Sequence, residues 1–374
     1  MKRIWFMLIV TTMVLVSMIL PVSVYASDNQ SDILIAQKNG EDYISSSKAN
    51  ICLDWQGASL INGTACHDLH ARVIGYLFEI KKLDKTLGYI TVGNALYNYD
   101  VLEAVGGGSS PLKNMAEAKA ILSKEAKWVN DATPMLVYLG YRQYYDVYIS
   151  NEQKEAISLQ SLVPENFSDL ISSIATPDQY QENVAEIRNS AEKTEKALLR
   201  YDNPLPVPLK NMSDGAILDA YRNNNNCGPT TGAMISQYWR TWRPNLPGWA
   251  TDHDELYVAM YTNNWGPFGT LPGTSPTHFG PRWLHYASGH GYSGFITDWT
   301  VNRDFSVIQA EIDSGRPMGV MFSYNQSYTN WHWCVVTGYD SPNIIVNDPW
   351  EEENVVNWAA VKLTSVITRI QNTT

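Results

Sequence analysis

A proline-rich stretch in the middle of the chain is its strongest constraint on folding. Residues 202–208 read DNPLPVP. Proline lacks a backbone N–H donor and restricts the residue before it, so this stretch forms neither a helix nor a central strand. We interpret residues 201–209 as a linker. The chain has 374 residues, 44% of them hydrophobic, and is long enough for two domains. We therefore expect one domain over residues 27–200 and another over residues 210–374.

The composition changes across this linker. Ten of the 13 tryptophans lie at or after Trp239. The C-terminal part is therefore an aromatic-rich unit of about 165 residues, a common size for one compact domain. The whole chain has 27 Lys and Arg against 38 Asp and Glu, a formal net charge of -11. Such a charge repels phosphate backbones and anionic lipids, so we expect no nucleic acid partner.

The first 26 residues have the order of a secretory signal peptide. Two basic residues precede an apolar run from Ile4 to Leu20, and the small residues Val24 and Ala26 stand just before a polar segment. An uncleaved membrane anchor is the alternative, because the run is near the short end of a spanning length. The small residues favour cleavage after Ala26. We predict a secreted protein without a stable membrane anchor after cleavage.

The N-terminal part has the patterns of both strands and helices. Residues 71–80 and 88–92 resemble two strands, and the charged, turn-forming residues between them predict a hairpin. Residues 115–129 and 183–199 have the periodicity of helices. We therefore expect an α+β domain ahead of the linker.

The four cysteines fall into two groups. Cys52 and Cys66 are close in sequence and can form a disulfide in an oxidising compartment, so we predict that they are paired. Cys227 lies in a turn flanked by glycine and proline, whereas Cys334 lies in an apolar strand pattern. We interpret Cys227 as reactive and Cys334 as a core residue.

The segment around Cys227 predicts a helix that begins at the cysteine. Polar residues lead to Cys227, Pro229 suits a first helical turn, and Met234, Tyr238 and Trp242 repeat on one helix face. Free N–H groups and the helix dipole at such a position favour the thiolate, the reactive form of cysteine. A buried or capping cysteine is the more common explanation of the local pattern alone.

A predicted hairpin near the C-terminus carries a histidine and an acid. Residues 331–339 have a strand pattern with His332 near its start, and residues 344–350 have a second one in which Asp348 precedes a proline. A hairpin brings the start of its first strand near the end of its second, so these two side chains become neighbours. That arrangement supplies a base with an orienting partner. A stacked, hydrogen-bonded histidine is the alternative.

Side chains alternate between the two faces of a strand, and this alternation leaves two candidates for the residue that orients His332. His332 and Asp348 share a face of the hairpin only if the loop has an odd length or a strand contains a bulge. With a plain two-residue loop at Ser341 and Pro342, Asn347 would face His332 instead. The residues alone leave both candidates open.

Four motifs occur in order along the C-terminal part: CGPT at 227–230, GRPMGV at 315–320, HWCVVTGYD at 332–340 and NDPW at 347–350. Together they resemble the papain-like cysteine peptidases. Within that clan they are most similar to the bacteriocin-processing, double-glycine peptidase family and its stand-alone secreted relatives. The resemblance covers roughly residues 210–360. It implies an α+β fold in which a helix bearing the nucleophile packs on an antiparallel sheet.

The resemblance also implies roles for individual residues. Cys227 corresponds to the nucleophile, His332 to the base and Asp348 to the orienting group. The family places its acid just before a proline at the end of this strand, which favours Asp348 over Asn347. The family usually has a glutamine six residues before the cysteine to bind the oxyanion, and this sequence has Tyr221 there. Tyr221 and Asn226 are therefore the candidate side chains for the oxyanion hole.

The N-terminal part has a fainter resemblance. The strand pair at 71–92 is similar to the propeptides of streptopain-type enzymes, which fold as a sheet against the peptidase domain. The resemblance implies a pro-region that shields the cysteine until secretion. An unrelated binding domain fused to the peptidase is the alternative.

The remaining histidines have no spacing typical of a metal site. His253 and His278 are interpreted as loop residues, and His285 and His290 are candidates to line a substrate cleft. Residues 263–281 are candidates for a cleft wall or lid. We expect neither a metal nor another cofactor.

These observations predict a secreted cysteine peptidase that hydrolyses peptide bonds through a thioester, with peptide or protein substrates. One alternative is a catalytically decayed module that binds peptide or cell-wall glycan, because the glutamine is missing. Another is an acyltransferase or cell-wall amidase that uses the same three residues.

Overall fold

The structure is a computed structural model that describes most of the chain. Several predicted features lie outside the described residues: the signal peptide, Cys52, Tyr221, Asn226, His253 and most of the candidate lid. The described residues are 29–46, 55–107, 109–150, 153–192, 204–211, 227–242, 274–300, 304–323, 331–350 and 352–373.

Helices and strands are mixed along the described residues, as expected of an α+β protein. The helices are α1 (Asn29–Ser45), α2 (Met115–Glu125), α3 (Pro177–Glu192), α4 (Cys227–Arg240), α5 (Pro276–Gly289), α6 (Phe305–Asp313) and α7 (Trp358–Val361). The strands are β1 (Ser59–His67), β2 (Val73–Lys82), β3 (Lys85–Gly93), β4 (Val101–Gly106), β5 (Met135–Tyr138), β6 (Tyr144–Ile149), β7 (Lys154–Ser158), β8 (Pro164–Glu165), β9 (Phe295–Thr300), β10 (Met318–Phe322), β11 (His332–Asp340), β12 (Asn343–Asp348), β13 (Glu352–Asn357) and β14 (Val366–Asn372).

All these strands belong to one sheet. Their order is β8-β7-β6-β5-β1-β2-β3-β4-β13-β12-β11-β10-β14-β9. The pairs are antiparallel except β1 with β5. The two halves of the chain meet where β4 pairs with β13, through Val105 opposite Asn354 and Ala104 opposite Val355. The sheet therefore continues across the predicted linker.

The sheet curls around its core. In the strand order, β5 and β12 are six spacings apart, which is roughly 29 Å in a flat sheet at about 4.8 Å per strand. The Tyr141 hydroxyl, just after β5, nevertheless lies 2.8 Å from Asp348 at the end of β12. Right-handed twist and β-bulges provide such curvature.

One hydrophobic cluster is shared by the two halves. Leu136, Tyr138 and Tyr180 from the N-terminal half are buried in the same cluster as Val346 and Trp358 from the C-terminal half. Backbone contacts accompany this packing, because Ala175 N–H donates to Ala360 O at 2.7 Å. The predicted domain boundaries therefore fall inside a common core.

The predicted hairpin of the N-terminal half is confirmed. Strands β2 and β3 pair in antiparallel register, with only Leu83 and Asp84 between them. The first predicted helix also forms, but α2 ends at Glu125 and a short 3-10 turn over Lys127–Asn130 follows. The second begins earlier than predicted, at Pro177, because proline suits a first helical turn.

Helix α4 begins at Cys227 and packs against β10 and β11. Its buried face includes Met234, which shares a hydrophobic cluster with Trp333 and Val335 of β11. The expected position of Trp242 on this face is wrong. The helix ends at Arg240, and Trp242 is 63% exposed in the turn that follows.

The linker packs along the hairpin of β11 and β12. Residues 204–210 have no helix or strand, as predicted. Leu205 N–H donates to Thr337 O at 2.8 Å, and Val207 O accepts a hydrogen bond from the Asn347 side chain at 2.8 Å. These contacts fix the linker against the sheet.

The predicted disulfide at Cys66 is not formed in the structure. Cys66 is a free thiol, and it points into the buried cluster that contains Leu136 and Tyr138. Burial and the nearby Glu103 carboxylate raise the pKa of this thiol well above its ordinary value. The side chain is thus a core residue of β1. Its predicted partner, Cys52, lies outside the described residues.

Among the described helices, none is long and apolar enough to cross a membrane.

Candidate active site

His332 and Asp348 are in direct contact. The Nε2 atom of His332 lies 3.0 Å from each carboxylate oxygen of Asp348. Asp348 is fully buried, whereas the His332 side chain is 18% exposed. The histidine therefore has one nitrogen fixed by a buried carboxylate. Its other ring nitrogen, Nδ1, remains to face a reacting group.

A β-bulge explains why this acid meets the histidine. The loop between β11 and β12 has only two residues, Ser341 and Pro342. In the ladder, Val336 pairs with Val346 but Gly338 pairs with Ile345, so Thr337 is an extra residue in β11. The insertion reverses the parity of every pair between the bulge and the open end of the hairpin. Asp348 and His332 therefore share a face despite the short loop.

Asn347, the alternative orienting residue, lies on the other face. It pairs with Val335, and its Nδ2 donates to Val207 O at 2.8 Å. The side chain is 3% exposed. The structure thus brings Asp348 to His332 and gives Asn347 a contact with the linker.

Cys227 is the first residue of α4 and is 5% exposed. Its side chain is near enough to His332 to contribute to the raised pKa of the histidine. Because Asp348 occupies Nε2, Nδ1 is the ring nitrogen left for the cysteine. The N-terminal N–H groups of α4 provide positive potential beside the sulfur.

The charge of His332 is controlled by this environment. Burial alone would lower the pKa of His332. The Asp348 carboxylate outweighs burial and, with contributions from Cys334 and Cys227, raises that pKa well above its usual value. The imidazolium is therefore favoured at neutral pH, as a thiolate–imidazolium pair requires.

Asp348 is held as a carboxylate by several donors. Besides His332, the Trp350 N–H donates to Oδ1 at 2.9 Å. The Tyr141 hydroxyl donates to Oδ2 at 2.8 Å, and the Arg142 guanidinium donates to the same oxygen at 3.3 Å. Burial alone would raise the pKa of Asp348, but His332, Arg142 and the hydrogen bonds hold it well below its usual range.

Tyr141 and Arg142 belong to the N-terminal half, and sequence analysis did not identify them. They lie in the turn between β5 and β6. The Tyr141 ring is stacked 6.2 Å from the His332 ring, centroid to centroid. Arg142 also forms a short ion pair with Glu352. About two hundred residues separate this turn from Asp348, so no local sequence pattern predicts the contact.

Cys334 is buried beside the same groups. Its Sγ lies 3.7 Å from Oδ2 of Asp348. Burial, followed by the charge of Asp348, raises the pKa of Cys334 to about 12. A thiol with such a pKa stays protonated at neutral pH and is a poor nucleophile. The interpretation of Cys334 as a core residue agrees with its burial.

The donor atoms of His332, Cys334 and Asp348 lie within 4.8 Å of one another, as in a candidate metal site. Both oxygens of Asp348 already accept hydrogen bonds, however, and the Arg142 cation is 3.3 Å from one of them. A divalent ion would have to displace these donors and lie beside a guanidinium. The geometry therefore fits a hydrogen-bonded acid better than a metal ligand.

The other candidate residues do not join this group in the described structure. Tyr221 and Asn226 lie outside the described residues. His278, interpreted as a loop residue, lies in the first turn of α5 instead, and its Nδ1 lies 2.5 Å from the Ser275 hydroxyl. His285 is exposed, and His290 packs edge-on against Tyr286. The proposed cleft roles of His285 and His290 stay predictions.

Gly228 explains how α4 approaches its neighbour. A Cβ atom placed at Gly228 would lie 2.4 Å from Thr274 Oγ1 and 2.6 Å from Thr274 Cβ. Thr274 is itself fixed, because its carbonyl accepts a 2.7 Å hydrogen bond from the indole N–H of Trp333. The residue after Cys227 must therefore lack a side chain.

We expect Gly228→Ala to displace the start of α4 and lower the free energy of unfolding by about 1–3 kcal/mol, the usual cost of overpacking. Thermal unfolding and the alkylation rate of Cys227 measure the two effects. Gly289→Ala, at the end of α5, is the matched control because nothing lies within 4 Å of its added Cβ. Equal results for the two variants would contradict a close contact at Gly228.

Comparisons with known proteins point to a family of peptidases. Residues 204–371 match the family model described as the Peptidase_C39 like family. No curated protein matches the sequence. A crystal structure described as a C39-like peptidase from Bacillus anthracis has a TM-score of 0.33 and 13% sequence identity, and the match covers 48% of this chain and 100% of that chain.

The family match over residues 204–371 supports a papain-like, C39-type cysteine peptidase in the C-terminal part of the chain. The resemblance seen in the four sequence motifs is thus confirmed. A peptidase family implies peptide or protein substrates.

Proposed function

We propose that the protein hydrolyses peptide bonds through a thioester, with Cys227 as nucleophile, His332 as general base and acid, and Asp348 as the orienting group. The contact of His332 with the buried Asp348 carboxylate, together with the nearby Cys227 side chain that helps raise the pKa of His332, carries this proposal. Asp348 holds Nε2, and the proposal assigns Nδ1 to Cys227. This is the arrangement of a nucleophile, a base and an orienter.

The first half of the reaction follows from the protonation states. The Cys227 thiolate attacks the carbonyl carbon of the scissile bond, and the carbonyl electrons move to oxygen. Collapse of this intermediate forms the thioester and breaks the C–N bond. The imidazolium at Nδ1 of His332 donates its proton to the departing amine. Backbone N–H groups at the start of α4 are available to stabilise the oxyanion.

The second half of the reaction returns the site to its initial state. His332, now neutral, accepts a proton from water, and the resulting hydroxide attacks the thioester. The C–S bond breaks, the acid product leaves, and His332 and Cys227 regain their ion pair. Asp348 keeps its charge throughout. Its role is to hold Nε2–H and stabilise the imidazolium.

The proposal has a direct test that also addresses the decayed-module alternative. A thiol-directed epoxide should label Cys227 of the purified protein much faster than it labels free cysteine, and the labelled protein should lose hydrolysis of a peptide library. Peptide mapping identifies the labelled cysteine. Labelling no faster than free cysteine, without hydrolysis, would instead support a binding module.

The same triad can transfer an acyl group or cleave cell-wall amides. Peptide substrates and purified cell-wall fragments, offered to the same preparation, separate these reactions by their products.

We also propose that the protein is secreted. This proposal rests on the sequence of residues 1–26 alone. Mass spectrometry of the protein from culture medium should find an N-terminus at Ser27.

A further inference from the structure

Among the described residues, four side chains contact Asp348, the orienting acid, and two of them come from the N-terminal half of the chain. The Tyr141 hydroxyl and the Arg142 guanidinium both contact Oδ2 of Asp348, across more than two hundred residues. Asn354 donates to the same Tyr141 hydroxyl at 2.7 Å, which fixes its position. Arg142 bridges Asp348 and Glu352 and is itself nearly buried. A buried charge needs such partners, so this contact is part of the site's electrostatics.

The turn that carries Tyr141 and Arg142 is held in one conformation by its neighbours. Arg142 has a φ of 57°, a left-handed conformation that non-glycine residues adopt only when their surroundings enforce it. Its N–H donates to the Glu103 carboxylate at 2.8 Å. On the other side, the Tyr141 ring packs against Phe322, with centroids 4.5 Å apart. The turn is thus anchored both to β4 and to the strand beside His332.

The junction of the two halves supports the same conclusion. Strand β13 pairs with β12 on one side and with β4 of the N-terminal half on the other. Loss of the N-terminal half would leave β13 as an open edge. It would also uncover Trp358 and Ala360, which are buried in the shared cluster. A separable pro-region has no need of a continuous sheet and a common core.

We infer that Tyr141 and Arg142 are positioning residues of the peptidase site, and that the active protein retains its N-terminal half instead of shedding it as a propeptide. This inference rests on the proposed function. The two residues act through Asp348: they fix its rotamer and share its charge with His332. Neither lies in the region that matches the peptidase family.

The variant that tests positioning is Tyr141→Phe, which removes only the hydroxyl. We expect kcat to fall about tenfold, the low end of what outer-shell partners contribute, with KM unchanged. The alkaline limb of the pH profile of Cys227 alkylation should move to higher pH. Without the hydroxyl, the Asp348 carboxylate is less shared and stabilises the His332 imidazolium more strongly. Tyr145→Phe is the matched control, since its hydroxyl contacts Glu165, 3.4–3.5 Å away.

Arg142→Lys is the second variant because it keeps a buried cation beside Glu352 but loses the planar guanidinium. We expect kcat to fall here as well, with thermal stability closer to wild type than in Arg142→Gln. Arg72→Lys, in an ion pair with Asp68 far from the site in sequence, is its control. If Tyr141→Phe and Arg142→Lys behave like their controls in kcat and in the alkylation profile, the positioning role is wrong.

Retention of the N-terminal half has its own measurement. The secreted protein is labelled at Cys227 with the epoxide, and the intact mass of the labelled, active species is determined. We expect a mass that includes residues 55–192. An active, labelled species that lacks them would overturn the inference while leaving the proposed function intact. A wild-type protein that neither labels nor hydrolyses would remove the proposed function, and this inference with it.

Discussion

Cys227→Ala should abolish hydrolysis, with a loss of at least about a thousandfold in kcat, because no other described thiol can replace it. Cys334 and Cys66 are buried, and the pKa of each is raised by burial. The fold should survive, since the substitution removes one sulfur from the start of α4 and leaves the buried face of that helix intact. Hydrolysis of a peptide substrate and thermal unfolding are the two measurements.

Cys334→Ala provides the control for this experiment. It removes a sulfur that lies 3.7 Å from Asp348 but has no place in the proposed chemistry. We expect its activity to remain within a few-fold of wild type, with some loss of stability from the small cavity. An active Cys227→Ala protein beside an inactive Cys334→Ala protein would reverse the assignment of the nucleophile.

Asp348→Asn should lower kcat by a hundredfold or more, on the order of the loss seen for other orienting acids. The amide keeps the shape of the side chain but not its charge, and the imidazolium of His332 loses its counter-ion. Arg142 stays paired with Glu352, so the substitution leaves no lone buried cation. Kinetics on proteins of matched thermal stability measure the effect.

The pH dependence of this variant has a defined sign. In the wild type, Asp348 raises the pKa of His332 above its unfolded value of about 6.5. The stability that His332 contributes is therefore fully present below about pH 6.5 and is lost as pH rises through its folded pKa. Without the carboxylate the folded pKa falls, so the alkaline limb of Cys227 alkylation should move to lower pH. This is the opposite of the shift expected for Tyr141→Phe.

Asn347→Ala is the comparison for Asp348→Asn. Asn347 lies on the other face of the hairpin and donates to the linker at Val207. Its loss should lower stability by about 1–3 kcal/mol, the cost of leaving a buried acceptor unsatisfied, with little change in kcat. A large loss of kcat in Asn347→Ala and a small one in Asp348→Asn would transfer the orienting role to the amide.

Local patterns predicted much of the candidate site. The start of α4 at Cys227 followed from the polar residues before it and from Pro229. The hairpin that carries His332 and Asp348 followed from two apolar runs around a turn. Each of these inferences depends on residues close together in sequence, His332 and Asp348 being 16 positions apart. Hydrophobic periodicity and turn chemistry act over that range.

The contacts that the sequence did not predict join residues that are far apart along the chain. Tyr141 and Arg142 reach Asp348 only because the sheet curls, and its curvature is a property of many strands together. The predicted disulfide failed for a related reason. Cys66 is close to Cys52 in the chain, but β1 places it in the core with Leu136 and Tyr138 of the neighbouring strand β5. Proximity in sequence gives no information about which face of a strand a side chain occupies until the register is known.

The extra residue at Thr337 also links two kinds of orienting group. If the same residues paired without the bulge, so that Thr337 joined the ladder, Asn347 would face His332 and Asp348 would turn to the linker. A carboxylate and an amide are therefore one β-bulge apart in this hairpin, with no change of side chain at either position. The bulge thus decides whether the histidine has a charged or a neutral partner.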